Sequence, residues 1–179
     1  MYVDPTLYTT RPEDERLPKE MAVYDLLEEL QIPYLRVDHE VLPTIEACRE
    51  VDKLLDIEIC KNLFLCNQQK TKFYLLLMPG TKKFVTKEVS KQIGSARLSF
   101  AKDTYMEEIL NISPGSVSIM GLMNDWENKV RLLIDREVLE QEYLGCHPCI
   151  NTSSLKLRME DVITKFLPRV HHDYTVVDL

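Results

Sequence analysis

The stretch CKNLFLCNQQKTKFYLLLMPG, Cys60 to Gly80, decides the fold. Two apolar runs of strand length, CKNLFLC and KFYLLLM, flank the polar turn Asn67-Gln68-Gln69-Lys70, and Pro79-Gly80 ends the second run. That pattern predicts a β-hairpin. Neither run alternates; nearly every position is apolar, as in strands covered on both faces. A sheet buried on two sides needs further elements around it, and the flanking sequence supplies them.

Upstream, Met21, Tyr24, Leu27 and Leu30 recur at helical spacing, so Pro18 to Gln31 reads as an amphipathic helix stopped before Pro33. YLRVDH follows as a strand, and Thr44 is placed to cap a second helix carrying Ile45, Cys48, Val51 and Leu55 on one face. Downstream, Thr86 opens a short basic helix ending at Gly94, RLSFA reads as a strand, and Asp103 is placed to cap a helix through Leu110. ISPGSVSIMGLMND, rich in small residues, reads as loop and strand. KVRLLID and SLKLR are strands, REVLEQEY is a helical turn or two, Met159 to Leu167 is a last helix, and DYTVVDL is an edge strand. Strands and helices interleave without regular βα alternation, and no Gly-rich strand-to-helix turn is present. The expectation is therefore a mixed α/β domain with a curved, partly antiparallel sheet, not a Rossmann fold. Residues 1–17, polar and containing Pro5 and Pro12, are expected to form an arm, with the domain proper spanning 18–179.

The 179 residues suffice for one domain that buries about two-thirds of its unfolded surface. No apolar run approaches the roughly 20 residues of a membrane span, and the first residues lack the apolar core of a signal peptide. A cytoplasmic protein with reduced thiols is the expectation, and five scattered cysteines do not form a disulfide framework. The net charge of −7 argues against nucleic-acid binding over the whole surface. One segment, KKFVTKEVSKQIGSARLSFAK, nevertheless concentrates Lys82, Lys83, Lys87, Lys91, Arg97 and Lys102 against Glu88 alone. It is either a solvated helix face or a local surface for a phosphate backbone.

A second stretch, YLGCHPCINTSSLKL, carries the chemistry. Cys146 and Cys149 have CxxC spacing, but a redox pair wants a following helix to stabilise the thiolate, and INTSSLKLR reads as strand. A structural zinc site commonly needs two such pairs, and there is one. What remains is His147, biased toward extended backbone by Pro148, with Asn151 four residues on. A His and an Asn there can line a site or merely satisfy the loop's own backbone.

Taken in order, CKNLFLCNQQKTKFYLLLMPG, LSFAKDTYMEEILNISPGSVSIMGLMND, VRLLID and GCHPCINTSSLKL resemble the YbaK/ProX family of free-standing aminoacyl-tRNA editing proteins, over about residues 19–169. The likeness is greatest to the branch acting on alanyl-tRNA(Pro). It implies a barrel-like mixed sheet flanked by helices. It also implies a deacylase that hydrolyses the ester of mischarged tRNA in trans, with tRNA as partner and no metal or organic cofactor. Such an ester is already activated, so a positioned water and oxyanion stabilisation matter more than a strong nucleophile.

Carried over residue by residue, the resemblance makes Lys61 the strand lysine at the ester or adjacent phosphate, and His147 the pocket histidine. Asn151 supports the His147 loop, and Gly115, Ser118 and Ile119 belong to a Gly-x-x-x-Pro substrate loop. Asn124 and Asp125 continue that motif or are simple turn residues. Ile119 replaces the family proline, which leaves the pocket open to reshaping. Lys82, Lys83, Lys87 and Lys91 are the candidate tRNA surface. The competing expectation is a module of the same fold that binds tRNA or a nucleotide without turnover.

Overall fold

The computed structural model describes residues 2–42 and 45–179. The chain runs α1 (Pro18–Glu29), β1 (Tyr34–Asp38), α2 (Ile45–Leu55), β2 (Lys61–Asn67), β3 (Phe73–Met78), α3 (Thr86–Ile93), β4 (Leu98–Phe100) and α4 (Asp103–Leu110). A 3-10 helix (Ile119–Asn124) follows, then β5 (Val130–Asp135), α5 (Arg136–Leu139), β6 (Tyr143–Cys146) and β7 (Ser153–Arg158). The chain ends with α6 (Met159–Asp161), a π-helical stretch (Val162–Phe166), α7 (Leu167–Arg169) and β8 (Tyr174–Val177). The cap expected at Thr44 lies outside the described residues.

The hairpin forms as read: β2 and β3 pair antiparallel, Lys61 opposite Met78 and Cys66 opposite Phe73. It is the centre of a five-stranded mixed sheet in the order β4-β2-β3-β5-β8, with β5 and β8 parallel to β3. A second, antiparallel sheet has the order β1-β7-β6. The architecture is the expected mixed α/β domain, with its strands in two sheets rather than one closed barrel.

The unbroken apolar character of β3 has a direct cause: all six of its residues are buried. Phe73, Leu75 and Leu77 join the main core with Phe64 and Cys66 of β2, Tyr24 and Leu27 of α1, Leu155 and Leu157 of β7, and Phe166. Tyr74, Leu76 and Met78 take the opposite face with Leu65, Leu133, Val177 and Val89 of α3. Each fully buried Leu contributes about 1.5–3 kcal/mol, so a polar residue anywhere in β3 would be costly.

The outer side of the small sheet carries a third cluster, Val37 with Val51 and Leu55 of α2 and Val3 of the N-terminal segment. That segment runs antiparallel along the free edge of β1. Tyr8 N–H donates to Arg36 O at 2.9 Å, Arg36 N–H returns a bond to Tyr8 O at 2.8 Å, and Asp4 N–H donates to Asp38 O at 2.9 Å. An edge that would otherwise expose unpaired backbone is thereby covered.

Four local readings change. Asp103 opens α4 as its first residue, with Lys102 at the cap and no side-chain cap bond. The small-residue stretch holds a 3-10 helix capped by Ser118, whose Oγ accepts from Met120 N–H. β6 is a strand where the sequence offered only the end of the helical turns REVLEQEY. A Cβ at its Gly145 would lie 2.3 Å from Ile57 Cδ1 and 3.1 Å from Ile59 Cγ1, so a larger residue would make these side chains shift. The last helix continues to Arg169 through π geometry, since Pro168 offers no N–H and its ring crowds the carbonyl four residues earlier. Among the described residues, no helix is long and apolar enough to cross a membrane.

Candidate active site

Two loops meet beside the small sheet. One, after α4, contains Gly115; the other joins β6 to β7 and contains His147 and Asn151. Gly115 has φ +87°, a conformation that L side chains rarely adopt, and its missing Cβ would lie 3.6 Å from Asn151 Nδ2. Ser118, fully buried, follows Gly115 and caps the 3-10 helix, its Oγ accepting from Met120 N–H at 3.1 Å. Of the sequence-predicted residues, Gly115 and Asn151 are neighbours, and His147 lies four residues before Asn151 in the same loop.

The His147 loop is tightly built. Cys149 has φ +63°, which reverses the chain after Pro148, and both Cys149 and Ile150 are buried. His147 Nδ1 lies 2.9 Å from the carbonyl of Ser153. A carbonyl can only accept, so Nδ1 carries the proton and the neutral ring presents Nε2 as a lone-pair acceptor. Burial lowers the His147 pKa below the ordinary value, against the raising effect of the Ser153 carbonyl, which keeps the ring neutral near pH 7. Among the described residues, Nε2 makes no hydrogen bond to a protein group, and neither do the amides of Gly115 and Val117. A neutral base with an unspent acceptor nitrogen is one part that addition of water to a carbonyl requires, and backbone amides without a protein acceptor are another.

Below the loop lies an ionic network. Asp38, at the end of β1, accepts from Arg16 at 3.0 Å, from Ser153 Oγ at 2.6 Å, and from Arg36. Arg16 also reaches Glu20 and Asp14, each at 3.0 Å, and Tyr24 O–H donates to Glu20 at 2.7 Å. Burial pushes the Asp38 carboxyl up, but hydrogen bonds from Arg16, Arg36 and Ser153 outweigh it and hold it at about 2. The network fixes Ser153, whose carbonyl orients His147. Beside it, a cleft of about 490 Å³ is lined by Arg16, Glu20, Asp38, His39, Ile150 and Thr152 among others.

Burial works against thiolate formation at both cysteines of the Cys-x-x-Cys stretch. Burial pushes Cys149 up to about 12 and raises Cys146 further, the opposite of a reactive CxxC pair.

With the geometry in place, comparison with known proteins is decisive. Residues 39–165 match the family described as "Aminoacyl-tRNA editing domain". The chain belongs to that family. It is accordingly an aminoacyl-tRNA hydrolase of the editing-domain class, and the matched span contains His147, Asn151, Gly115 and Lys61. Among its relatives is "Prolyl-tRNA editing protein ProX" of Acetoanaerobium sticklandii, 31% identical over 141 residues that cover 79% of this chain and 86% of the relative. Another is "Prolyl-tRNA synthetase associated domain-containing protein 1" of Mus musculus, 28% identical over 79% of this chain and 85% of the relative. A crystal structure of a candidate trans-editing enzyme for prolyl tRNA synthetase superposes with TM-score 0.67 at 15% identity, covering 92% of this chain and 98% of that one. The crystal structure of hypothetical protein APE2540 superposes with TM-score 0.65 at 16% identity, covering 87% and 97%. Both structures speak to the fold.

Within this editing domain, some expected site residues sit elsewhere. Lys61 shares the β2 face of Leu63 and Leu65, under α3, and its ammonium donates to the Lys82 carbonyl. Cys60, Phe64 and Cys66 take the other face, toward β6. Among the described residues, no hydrogen bond joins Lys61 to His147, Asn151 or Gly115. Asn62 lies on the Cys60 face, half-buried, with its amide on the Cys60 carbonyl at 3.2 Å, and sequence reasoning passed over it. Ile119 has no exposed surface and packs in the main core, so its side chain is a core residue and not a lining one.

Lys82 is a correction. Its ammonium is spent on Asp135 at 3.1 Å, Glu137 at 3.0 Å and the Leu179 carbonyl at 2.6 Å, so it is not free for phosphate. Lys83, Lys87 and Lys91 remain exposed on α3 and its approach. Asp125 is a turn residue: it accepts from the amides of Lys129 and Val130 and pairs with buried His172 at 2.9 Å. Asn124 likewise spends its amide on the Leu110 carbonyl at 2.8 Å.

Proposed function

We propose that the protein hydrolyses the aminoacyl ester of mischarged tRNA(Pro) in trans, with alanyl-tRNA(Pro) as its substrate. The observation that carries this is the meeting of the Gly115 and Asn151 loops beside a neutral His147 whose Nε2 is unspent. The names of its relatives, which concern prolyl-tRNA editing, direct the reading to tRNA(Pro). Alanine is smaller than proline, so a small pocket admits its ester and rejects the correct one, the steric sieve on which editing depends.

The chemistry follows from the atoms present. A water held by His147 Nε2 attacks the ester carbonyl and gives its proton to that nitrogen. Negative charge gathers on the carbonyl oxygen, where the Gly115 and Val117 amides are the available donors. The bond to the ribose oxygen then breaks, that oxygen takes the proton back, and free amino acid and deacylated tRNA leave. The Nδ1–H to Ser153 bond stabilises the transient imidazolium, as an orienting acceptor does in other histidine bases. Lys61 and the exposed Lys83, Lys87 and Lys91 form the phosphate-binding face in this reading.

The test is hydrolysis of alanyl-tRNA(Pro) alongside prolyl-tRNA(Pro). Turnover of the alanine ester with the proline ester spared is expected. Equal turnover of both would overturn the sieve, and salt-sensitive binding of tRNA without turnover would point to the silent module.

A further inference from the structure

His39 is almost fully buried at the end of β1, though no step above uses it. Its Nδ1 lies 2.8 Å from the carbonyl of Glu40, and its Nε2 lies 2.8 Å from Ser154 Oγ. Ser154 is itself fully buried, and its Oγ lies 3.5 Å from His147 Nδ1. The two imidazoles stand edge to face, with centroids 6.2 Å apart. A serine hydroxyl therefore sits between two histidine rings.

The carbonyls at the two ends fix every proton in between. Glu40 O can only accept, so His39 holds its proton on Nδ1 and Nε2 must accept. The one hydrogen of Ser154 then points at His39, which turns an oxygen lone pair toward His147. Ser153 O accepts from His147 Nδ1–H at 2.9 Å, and the Ser154 lone pair faces the same N–H. A Ser154 hydroxyl released from His39 could rotate and donate to His147 Nδ1, which would move the ring proton to Nε2 and abolish the acceptor facing the substrate.

We propose that His39 and Ser154 are positioning residues for His147: by ordering the hydroxyl they hold His147 in the Nδ1–H tautomer, with Nε2 free to accept from water. The proposal rests on the reading of His147 as the water-holding group. Burial of so many polar atoms in one chain is costly unless each is bonded, and the His39–Ser154 pair is bonded throughout. The partners lie 115 residues apart, so only the folded protein creates the arrangement.

The test is ¹⁵N NMR of the imidazole nitrogens in the full-length protein, run beside kcat and KM for tRNA deacylation. The parent protein is expected to show His147 with protonated Nδ1 and bare Nε2. His39→Phe should give a tautomer mixture and lower kcat about tenfold at unchanged KM, within the hundredfold that a misplaced catalytic group costs. His39→Gln, whose amide oxygen can accept from Ser154, should restore most of both. Ser154→Ala leaves no hydroxyl to donate to His147 Nδ1, so it should keep the Nδ1–H tautomer that the Ser153 carbonyl favours, which keeps the test decisive should His39→Phe fail to fold. An unchanged His147 tautomer in folded His39→Phe, or a shifted one in Ser154→Ala, overturns the proposal, whatever the rate does. A parent protein without deacylase activity but with the expected spectra would overturn the catalytic reading of His147 while leaving the proton ordering in place.

Discussion

Replacing Asp38 by alanine should destabilise the protein by about 3 kcal/mol, at the lower end of what removing one partner of a buried ion pair costs. The estimate follows from what Asp38 holds. Arg36, whose side chain is 3% exposed, would keep the Thr10 carbonyl and the face of Tyr8 but lose its carboxylate. Arg16 would retain Glu20 and Asp14, which is why the upper end of the range is not reached. The carboxyl's own titration gives an independent figure. Its pKa falls from 3.8 to about 2 on folding, which amounts to about 2 kcal/mol of stability. Because the folded value is the depressed one, this contribution is complete above the unfolded pKa and is lost as pH falls toward 2. The gap between parent and variant should therefore narrow on acidification, with the titrating part about halved at pH 3. Urea unfolding followed by far-UV circular dichroism at pH 7 and pH 3 measures both quantities. A loss below about 1 kcal/mol at pH 7, or a gap that does not change with pH, would refute the reasoning.

Other predictions concern the site and the tRNA face. On acidification deacylation should fall with one proton, with a midpoint below pH 6.5, because burial lowers the His147 pKa. The groups facing that ring are His39, itself lowered by burial, the Ser154 hydroxyl and the Ser153 carbonyl, with Asp38 behind them. An acid limb centred above 6.5 in kcat/KM profiles would contradict this. Gly115→Ala should cost about 1 kcal/mol through its positive φ and slow turnover, although its Cβ meets no close atom; a melt and rate equal to the parent's would count against the loop. Lys87→Ala with Lys91→Ala should weaken tRNA binding and flatten its salt dependence, whereas Lys82→Ala should chiefly lower stability by stranding the buried Asp135. Filter binding across a salt series, beside thermal melts, separates the two.

Much of the fold was legible because β2 and β3 announce their burial: a strand covered on both faces needs no alternation, and six consecutive apolar residues leave little else to read. α3 was equally plain, with Gly94 supplying the left-handed C-cap at φ +65°. β6 was not, since four residues containing a glycine carry no periodicity, and Ile57, which a Cβ at Gly145 would meet, is far away in sequence. The 3-10 helix was hidden for a related reason: Ser118 caps it locally, but the neighbours that a Cβ at Gly121 would meet, Ile112 Cδ1 at 2.5 Å and Leu110 Cβ at 3.1 Å, are supplied only by the fold.

The site divides in the same way. His147, Asn151 and Gly115 stood out as loop residues of unusual type. Lys61 also stood out, but strand parity decides which face a side chain takes, and parity sends it beneath α3 with the basic segment. Lys82 looked like its neighbours until the carboxylates of Asp135 and Glu137 claimed it. His39 and Ser154 left no mark, because each is ordinary in its own strand and they acquire meaning only when β1 and β7 pair.

The most direct test of the account is single-turnover hydrolysis of alanyl-tRNA(Pro) by the parent protein and by His147→Ala, with the fold of both checked by circular dichroism. The account predicts cleavage by the parent and a rate lower by about 100-fold or more in the variant, the scale of a lost acid–base group. Equal rates, or no cleavage by a folded parent protein, would contradict it.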